Sequence, residues 1–424
     1  MSRPTARNAS ARRTGLCRGL HADPVMNSEQ PLRLPAAAAG VPAAAAAIAA
    51  PVTIDGAIAM TIPTGPRHTG IANLPLHGGK APPWLFQRMV KLAREITIVI
   101  VSDFGPDEML QRLSHPYWFQ AFGCVLGFDW HSSGVTTTLC GALKEGVKGM
   151  EKDLGLFVAG GKGKTSRKTP SEIEEWSGKL SLNPAPLVYA SRMSAKVDNN
   201  ALQDGYQLYH HTFLFTARGS WAVVQQGMNE TNNYARRYHW LGETVTDFVN
   251  EPHTAILTEA RGTTLNLVAG ESDSARATIT DIANETKPEN LLADLKKITT
   301  LSLPTHHPIG VSDIHPDSLS KILLSVYERQ PEDFEKLLGL PGVGAKTLRA
   351  LSLISELVYG VAPSYRDPAR YSFAHGGKDG FPYPVDRETY DKSIEFLAKA
   401  VNKTLLGINE KNEAVNRLRC LGLE

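Results

Sequence analysis

Two groups of side chains in this sequence suit hydrolytic chemistry on a phosphodiester, and a third suits holding a phosphate. Asp129 and His131 stand two apart, so on a strand both would face one side. Ser132, Ser133 and Gly134 follow and lead toward a helix, whose first amides would lie beside them. An acid, an imidazole and free amides together suit a divalent metal and a phosphate. The alternative is a strand end whose aspartate caps the next helix. The second group is Asp198, Asp204, His210 and His211, with Gln225 and Gln226 opposite. The third is Leu340-Pro341-Gly342-Val343-Gly344-Ala345-Lys346-Thr347. Its two glycines let backbone amides approach a phosphate, the next helix presents its positive end there, and Lys346 adds a mobile cation. Contacts of this kind hold nucleic-acid backbone and carry no sequence information. The alternative is an ordinary glycine turn between two helices.

These residues need elements to position them. Residues 206–215 and 221–228 read as two strands of a hairpin, with Ala217-Arg218-Gly219-Ser220 as the turn. On such a strand His210 and His211 point to opposite faces, and Gln225 and Gln226 divide the same way. Amides within an apolar strand (Ala222, Val223, Val224) are costly to bury unless hydrogen-bonded, which favours a polar site or network. Arg236, Arg237, His239 and Trp240 suit phosphate binding and base stacking, or a solvated helical face. A helix is predicted before the glycine turn, from Pro331 through Leu338, and another after it, from Leu348 to Val358 with a stop at Gly360.

Elsewhere, helices are predicted over 83–96, 106–113, 136–147 and 387–406, and a helix stripe begins at 317. Residues 97–101 extend the first helix or form a short strand, and 124–130 read as strand. Residues 155–170 are rich in Gly and Lys and read as a mobile loop. Gly163-Lys164-Thr165 within it is not a phosphate-binding loop motif, because Val158 stands where that motif needs glycine. His306, His307 and His315 sit among prolines and read as linker rather than metal site.

The chain has 424 residues, enough for more than one domain, with a formal net charge of +2. Nucleic-acid affinity would therefore come from local patches, not overall charge. The four cysteines include no CxxC pair, which supports neither a zinc ribbon nor a disulfide framework. No apolar run spans a membrane, and a cytoplasmic globular protein is expected. Residues 1–65 carry six arginines and an alanine-rich run, and read as a disordered extension or an early start, with Met26 or Met60 as alternative first residues. The fold class is α+β: a mixed α/β domain over 66–300, a linker over 301–316 and an all-α domain over 317–424.

Several longer strings resemble one prokaryotic family, catalogued as domain of unknown function 763. They are Thr69-Gly70-Ile71-Ala72-Asn73-Leu74-Pro75-Leu76-His77-Gly78-Gly79-Lys80, His115-Pro116-Tyr117-Trp118-Phe119-Gln120, the run from Gly127 to Gly134, the run from Leu202 to His211, and the run from Trp221 to Asn229. The resemblance implies a distinctive N-terminal domain joined to a helix-hairpin-helix tail, and so a DNA-processing protein. It assigns no residue role.

The layout that the resemblance implies suits a structure-specific DNA nuclease, and the residues supply the chemistry expected of it, hydrolysis with Mg²⁺ or Mn²⁺. Asp129, Asp204 and His210 are the expected metal ligands, and His131, His211 and Gln226 complete the catalytic set. Gly342, Val343, Gly344, Lys346 and Thr347 would grip backbone, together with Lys80, Arg236 and Arg237. Branched, bubble or partly single-stranded DNA is the expected partner, with a homodimer or a second surface to strengthen a single turn. A rival chemistry resembles the helix-hairpin-helix DNA glycosylases, in which Lys346 would form a Schiff base and Asp386 would assist. The long insert over 364–383 and the absence of a cysteine quartet depart from that pattern. A third reading is a DNA-binding adaptor without catalysis.

Overall fold

The computed structural model describes residues 81–128, 134–232, 234–258, 260–300, 314–370 and 387–419. In chain order the first elements are helices α1 (Pro83–Phe104), α2 (Pro106–Ser114), α3 (Pro116–Val125), α4 (Gly134–Val147) and α5 (Glu151–Leu154). Strand β1 (Leu156–Lys162), helices α6 (Thr169–Leu180) and α7 (Ala185–Lys196), and strands β2 (Leu202–Gln203), β3 (Gln207–Thr216), β4 (Trp221–Met228), β5 (Ala235–Leu241), β6 (Ala255–Thr258) and β7 (Leu265–Asn266) follow. Helices α8 (Asp273–Glu285), α9 (Pro288–Thr300), α10 (Pro316–Arg329), α11 (Phe334–Gly339), α12 (Ala345–Leu357), α13 (Arg387–Lys403) and α14 (Ile408–Arg419) complete the chain.

The centre is a five-stranded antiparallel sheet in the order β1-β3-β4-β5-β6. Strands β2 and β7 form a separate short ladder. Both faces of the large sheet are apolar and both are covered by helices. Phe157, Phe213, Val223, Tyr238 and Trp240 look one way, into a core filled from α6 to α12. Val158, Leu214, Ala222 and Val224 look the other way, into a core filled by α1 to α5, α13 and α14. The chain is thus α+β, as expected. The expected division at 301–316 is no break in the core, because α10, α11 and α12 share one face with α8 and α9 while α13 and α14 pack on the other. Among the described residues no helix is long and apolar enough to cross a membrane.

Local sequence explains most elements. Helix α1 carries Pro83 in its first turn and buries Met89, Leu92, Ala93, Ile96 and Ile100 at helical spacing. That stripe continues through 97–101, which settles the choice there as helix. The β3–β4 hairpin matches the sequence expectation, with Phe215 opposite Trp221 beside the turn.

Three expectations are corrected. Cys124 and Val125 end a helix rather than open a strand. Every residue of α3 is buried, so the segment has no face pattern to separate helix from strand. Residues 155–170 are not a loop: Leu156 to Ala159 are a buried strand, followed by a 3₁₀ turn over Gly163–Lys168. The Gly and Lys content concealed this. Gly160 has φ +86°, and a Cβ there would lie 2.3 Å from the His211 carbonyl oxygen, so glycine is what permits the pairing. Third, residues 236–240 form neither a solvated helix nor an exposed patch but the buried strand β5.

Candidate nucleic-acid interface

The segment between α11 and α12 closes as a reverse turn. Val343 donates its N–H to the Leu340 carbonyl at 3.3 Å, with Pro341 and Gly342 (φ +86°) at the centre. Proline followed by a positive-φ glycine is the type II pattern. The preceding helix starts later than expected, at Phe334, because the Asp333 carboxylate accepts from the Lys336 amide at 2.7 Å and caps it. Gly344 then begins α12, and no side chain caps that end. The uncapped first-turn amides carry the helix's partial positive charge. Gly342 and Lys346 are exposed, whereas Val343 and Thr347 are buried, so their side chains anchor the turn.

The body holds this turn from below. Lys196 donates from Nζ to the carbonyls of Leu338 at 2.6 Å and Leu340 at 2.7 Å, at the negative end of α11. Burial lowers the Lys196 pKa. Gln203 donates to the Ala345 carbonyl at 2.8 Å and accepts from Arg349 at 2.9 Å.

The expected catalytic residues are sorted by the sheet. His210 and His211 do point to opposite faces, and Gln225 and Gln226 do divide. On the α4 side, Lys162, His210, Gln226 and Arg237 lie in one row across β1, β3, β4 and β5. A bulge at Tyr209 interrupts the register, and the Gln226 amide donates to the Tyr209 hydroxyl. Thr212 Oγ1 bonds His210 Nε2 at 2.9 Å. His210 Nδ1 is buried with no partner among the described residues. Burial, with His211 and Lys162 nearby, lowers the His210 pKa to about 3. Arg237 donates to Gln120 at 3.0 Å and lies over the Phe119 ring at 4.5 Å.

Asp204 is on the other side and is fully engaged. One oxygen accepts from Arg236 at 2.9 Å and from the Tyr238 hydroxyl at 2.7 Å, and the other from the Tyr206 amide at 3.0 Å. Asp367 closes the group, accepting from Arg236 at 2.6 Å. Burial pushes the Asp204 carboxyl upward, against Arg236. Burial alone would lower Arg236, but Asp204, Tyr238 and Asp367 more than offset it and raise it. Asp204 therefore does not meet His210, and the expected ligand set does not converge. Among the described residues no group of three His, Cys, Asp or Glu side chains is arranged for a metal. Arg236 and Arg237 are both buried, which corrects their expected role as phosphate contacts. Lys80, Asp129, His131 and Asp386 lie outside the described residues.

A longer network occupies the same face as Asp204. Ser191 Oγ bonds His211 Nε2 at 2.9 Å, and His211 Nδ1 bonds Gln225 Oε1 at 2.8 Å. The Gln225 amide donates to Asp198 at 2.6 Å, Trp240 Nε1 donates at 3.0 Å, and His253 Nε2 reaches the other oxygen at 2.5 Å. The amide oxygen must accept from His211, so His211 carries its proton on Nδ1 and Ser191 donates to Nε2. Every donor thus leads toward Asp198, a pattern that favours its anion, while burial raises its pKa. Asp198 sits in a single π-helical turn, Val197–Ala201, directly after Lys196. Asp198 was among the sequence candidates, but Ser191, His253, Lys196 and Asp367 were not. Their partners lie far along the chain, 131 residues in the case of Arg236 and Asp367, and no local pattern marks them.

The family model described as protein of unknown function (DUF763) matches residues 70–385. No curated protein and no solved structure matches the chain.

Proposed function

The chain belongs to the DUF763 family, and from that premise we propose that it grips nucleic-acid backbone through the turn at 340–347. The observation that carries this reading is the exposed Gly342 turn opening into an uncapped α12 with Lys346 beside it. A phosphate there meets backbone amides, a helix dipole and a mobile cation at once. The glycosylase alternative gains nothing from the geometry. Lys346 is exposed, and Asp386 lies outside the described residues. One turn binds weakly, so a second surface or a second copy of the chain completes the grip on branched, bubble or partly single-stranded DNA.

Phosphodiester cleavage with Mg²⁺ or Mn²⁺ is the second part of the proposal, and one observation favours it. His210 offers a buried, unpartnered nitrogen on the sheet face it shares with Gln226 and Arg237. Asp204 drops out of that site, since Arg236 and Tyr238 occupy it on the opposite face. The test is binding and cleavage of labelled single-stranded, duplex, bubble and branched DNA, with Mg²⁺, Mn²⁺ or EDTA. Lys346→Ala should weaken binding. Asp129→Ala and His210→Gln should abolish metal-dependent cutting while leaving binding intact. Binding with no cutting under any metal would leave a DNA-binding adaptor.

A further inference from the structure

We infer that the cavity beside His253 binds one phosphate group, and that the site distinguishes phosphate from sulfate through Glu251. The cavity, of about 120 Å³, is lined by Glu251, His253, Asn266, Val268, Pro368 and Arg370 among others. That is room for a few waters, the scale of one tetrahedral oxyanion. It is separate from the turn at 340–347, and neither the sequence reading nor the family assigns it.

Asp198 anchors the site from behind. Its carboxylate, wholly buried, ends the network from Ser191 and fixes His253 through Nε2 at 2.5 Å. The Trp240 ring packs on the imidazole with centroids 4.5 Å apart. The side chain of His253 is still 7% exposed, it lines the cavity, and its Nδ1 has no partner among the described residues. A histidine oriented from behind by a buried carboxylate, with its second nitrogen on a cavity, is built to exchange a proton with a ligand. When protonated it is also a donor to an anion. Arg370 supplies the cation: its side chain is exposed, and it forms no ion pair among the described residues.

Glu251 decides which anion fits. It is one of three non-glycine residues with positive φ among the described residues, at +46°, and its N–H donates to the Val268 carbonyl at 2.7 Å. A carboxylate in an oxyanion pocket repels a fully deprotonated anion. It welcomes one that still carries an O–H, because it can accept that hydrogen bond. Phosphate keeps a proton near neutrality; sulfate does not. Around His253 stand Asp198 from the π-helical turn and Tyr238 from β5, with Glu251 and Arg370 lining the same cavity.

The test is a titration of the His253 ring signals by NMR in the full chain, with inorganic phosphate, a nucleoside monophosphate and sulfate as probes. Phosphate should shift the His253 signals saturably, and sulfate at least about tenfold more weakly. Glu251→Gln should close the gap between the two anions, and Arg370→Gln should weaken both. These two residues are exposed, so neither variant threatens the fold. Tighter binding of the nucleoside monophosphate identifies a nucleotide phosphate as the occupant, and equal or tighter binding of inorganic phosphate identifies the free anion; either supports the site. Unmoved His253 signals, or equal response to phosphate and sulfate in the parent, would overturn it. DNA binding through Lys346 is read separately, so the two proposals fail independently.

Discussion

Arg236 and Asp204 pair at 2.9 Å with both side chains only 1% exposed, on the face of the sheet that His210 does not see. The geometry makes Asp204 a structural anchor. Removing one partner of a buried pair strands the other charge, at a typical cost of about 3–5 kcal/mol. Asp204→Ala should therefore lower stability by that order in urea unfolding. A variant of parental stability that has lost only an activity would return Asp204 to the catalytic set.

The two neighbouring histidines make stability acid-sensitive. Burial holds His210 at about 3 and His211 at about 4, both below the ordinary imidazole value. Below about pH 6.5 the unfolded chain takes up protons that the folded chain refuses. Their contribution is thus complete above pH 6.5 and is lost as pH falls toward 4 and then 3. Each should remove about 1–2 kcal/mol by pH 5. Urea midpoints at pH 7 and pH 5 check this, and the drop should be shallower in His210→Gln than in the parent.

Gly160 is where β1 and β3 come too close for any side chain. With φ +86° and a Cβ that would meet the His211 carbonyl at 2.3 Å, Gly160→Ala must displace backbone. The expected loss exceeds about 2 kcal/mol, well beyond the cost of the torsion alone. Thermal melting reads it directly, and a melt unchanged from the parent would contradict the pairing.

Much of this was legible in the sequence where a pattern was local. The 206–228 hairpin, its opposed histidines and the helix ending at Gly360 followed from period and turn chemistry. Helix α3 was not legible, since burial on all sides erases periodicity. Strand β5 was misread because two arginines suggest solvent, yet Arg236 is neutralised by Asp204 and Asp367 and Arg237 is seated on Gln120 and Phe119. The catalytic grouping of Asp204 with His210 failed for a related reason. Spacing along the chain puts them near each other, but the sheet lies between them.

Lys196 couples the turn to the body. Replacing it with methionine removes both donors to Leu338 and Leu340 while keeping the aliphatic stem. Lys196→Met should raise hydrogen exchange over residues 338–347 and weaken nucleic-acid binding without loosening the central sheet. Unchanged exchange there would show that the clamp is dispensable.

On the proposed reading the 340–347 turn grips backbone phosphates. The most direct measurement is the salt dependence of DNA affinity, by fluorescence anisotropy, for the parent and for Lys346→Ala. If Lys346 neutralises one phosphate, the variant should bind more weakly on every sequence, and the slope of log affinity against log salt should fall by about one. Parental affinity and slope in the variant, or no salt-dependent binding in the parent, would contradict the claim.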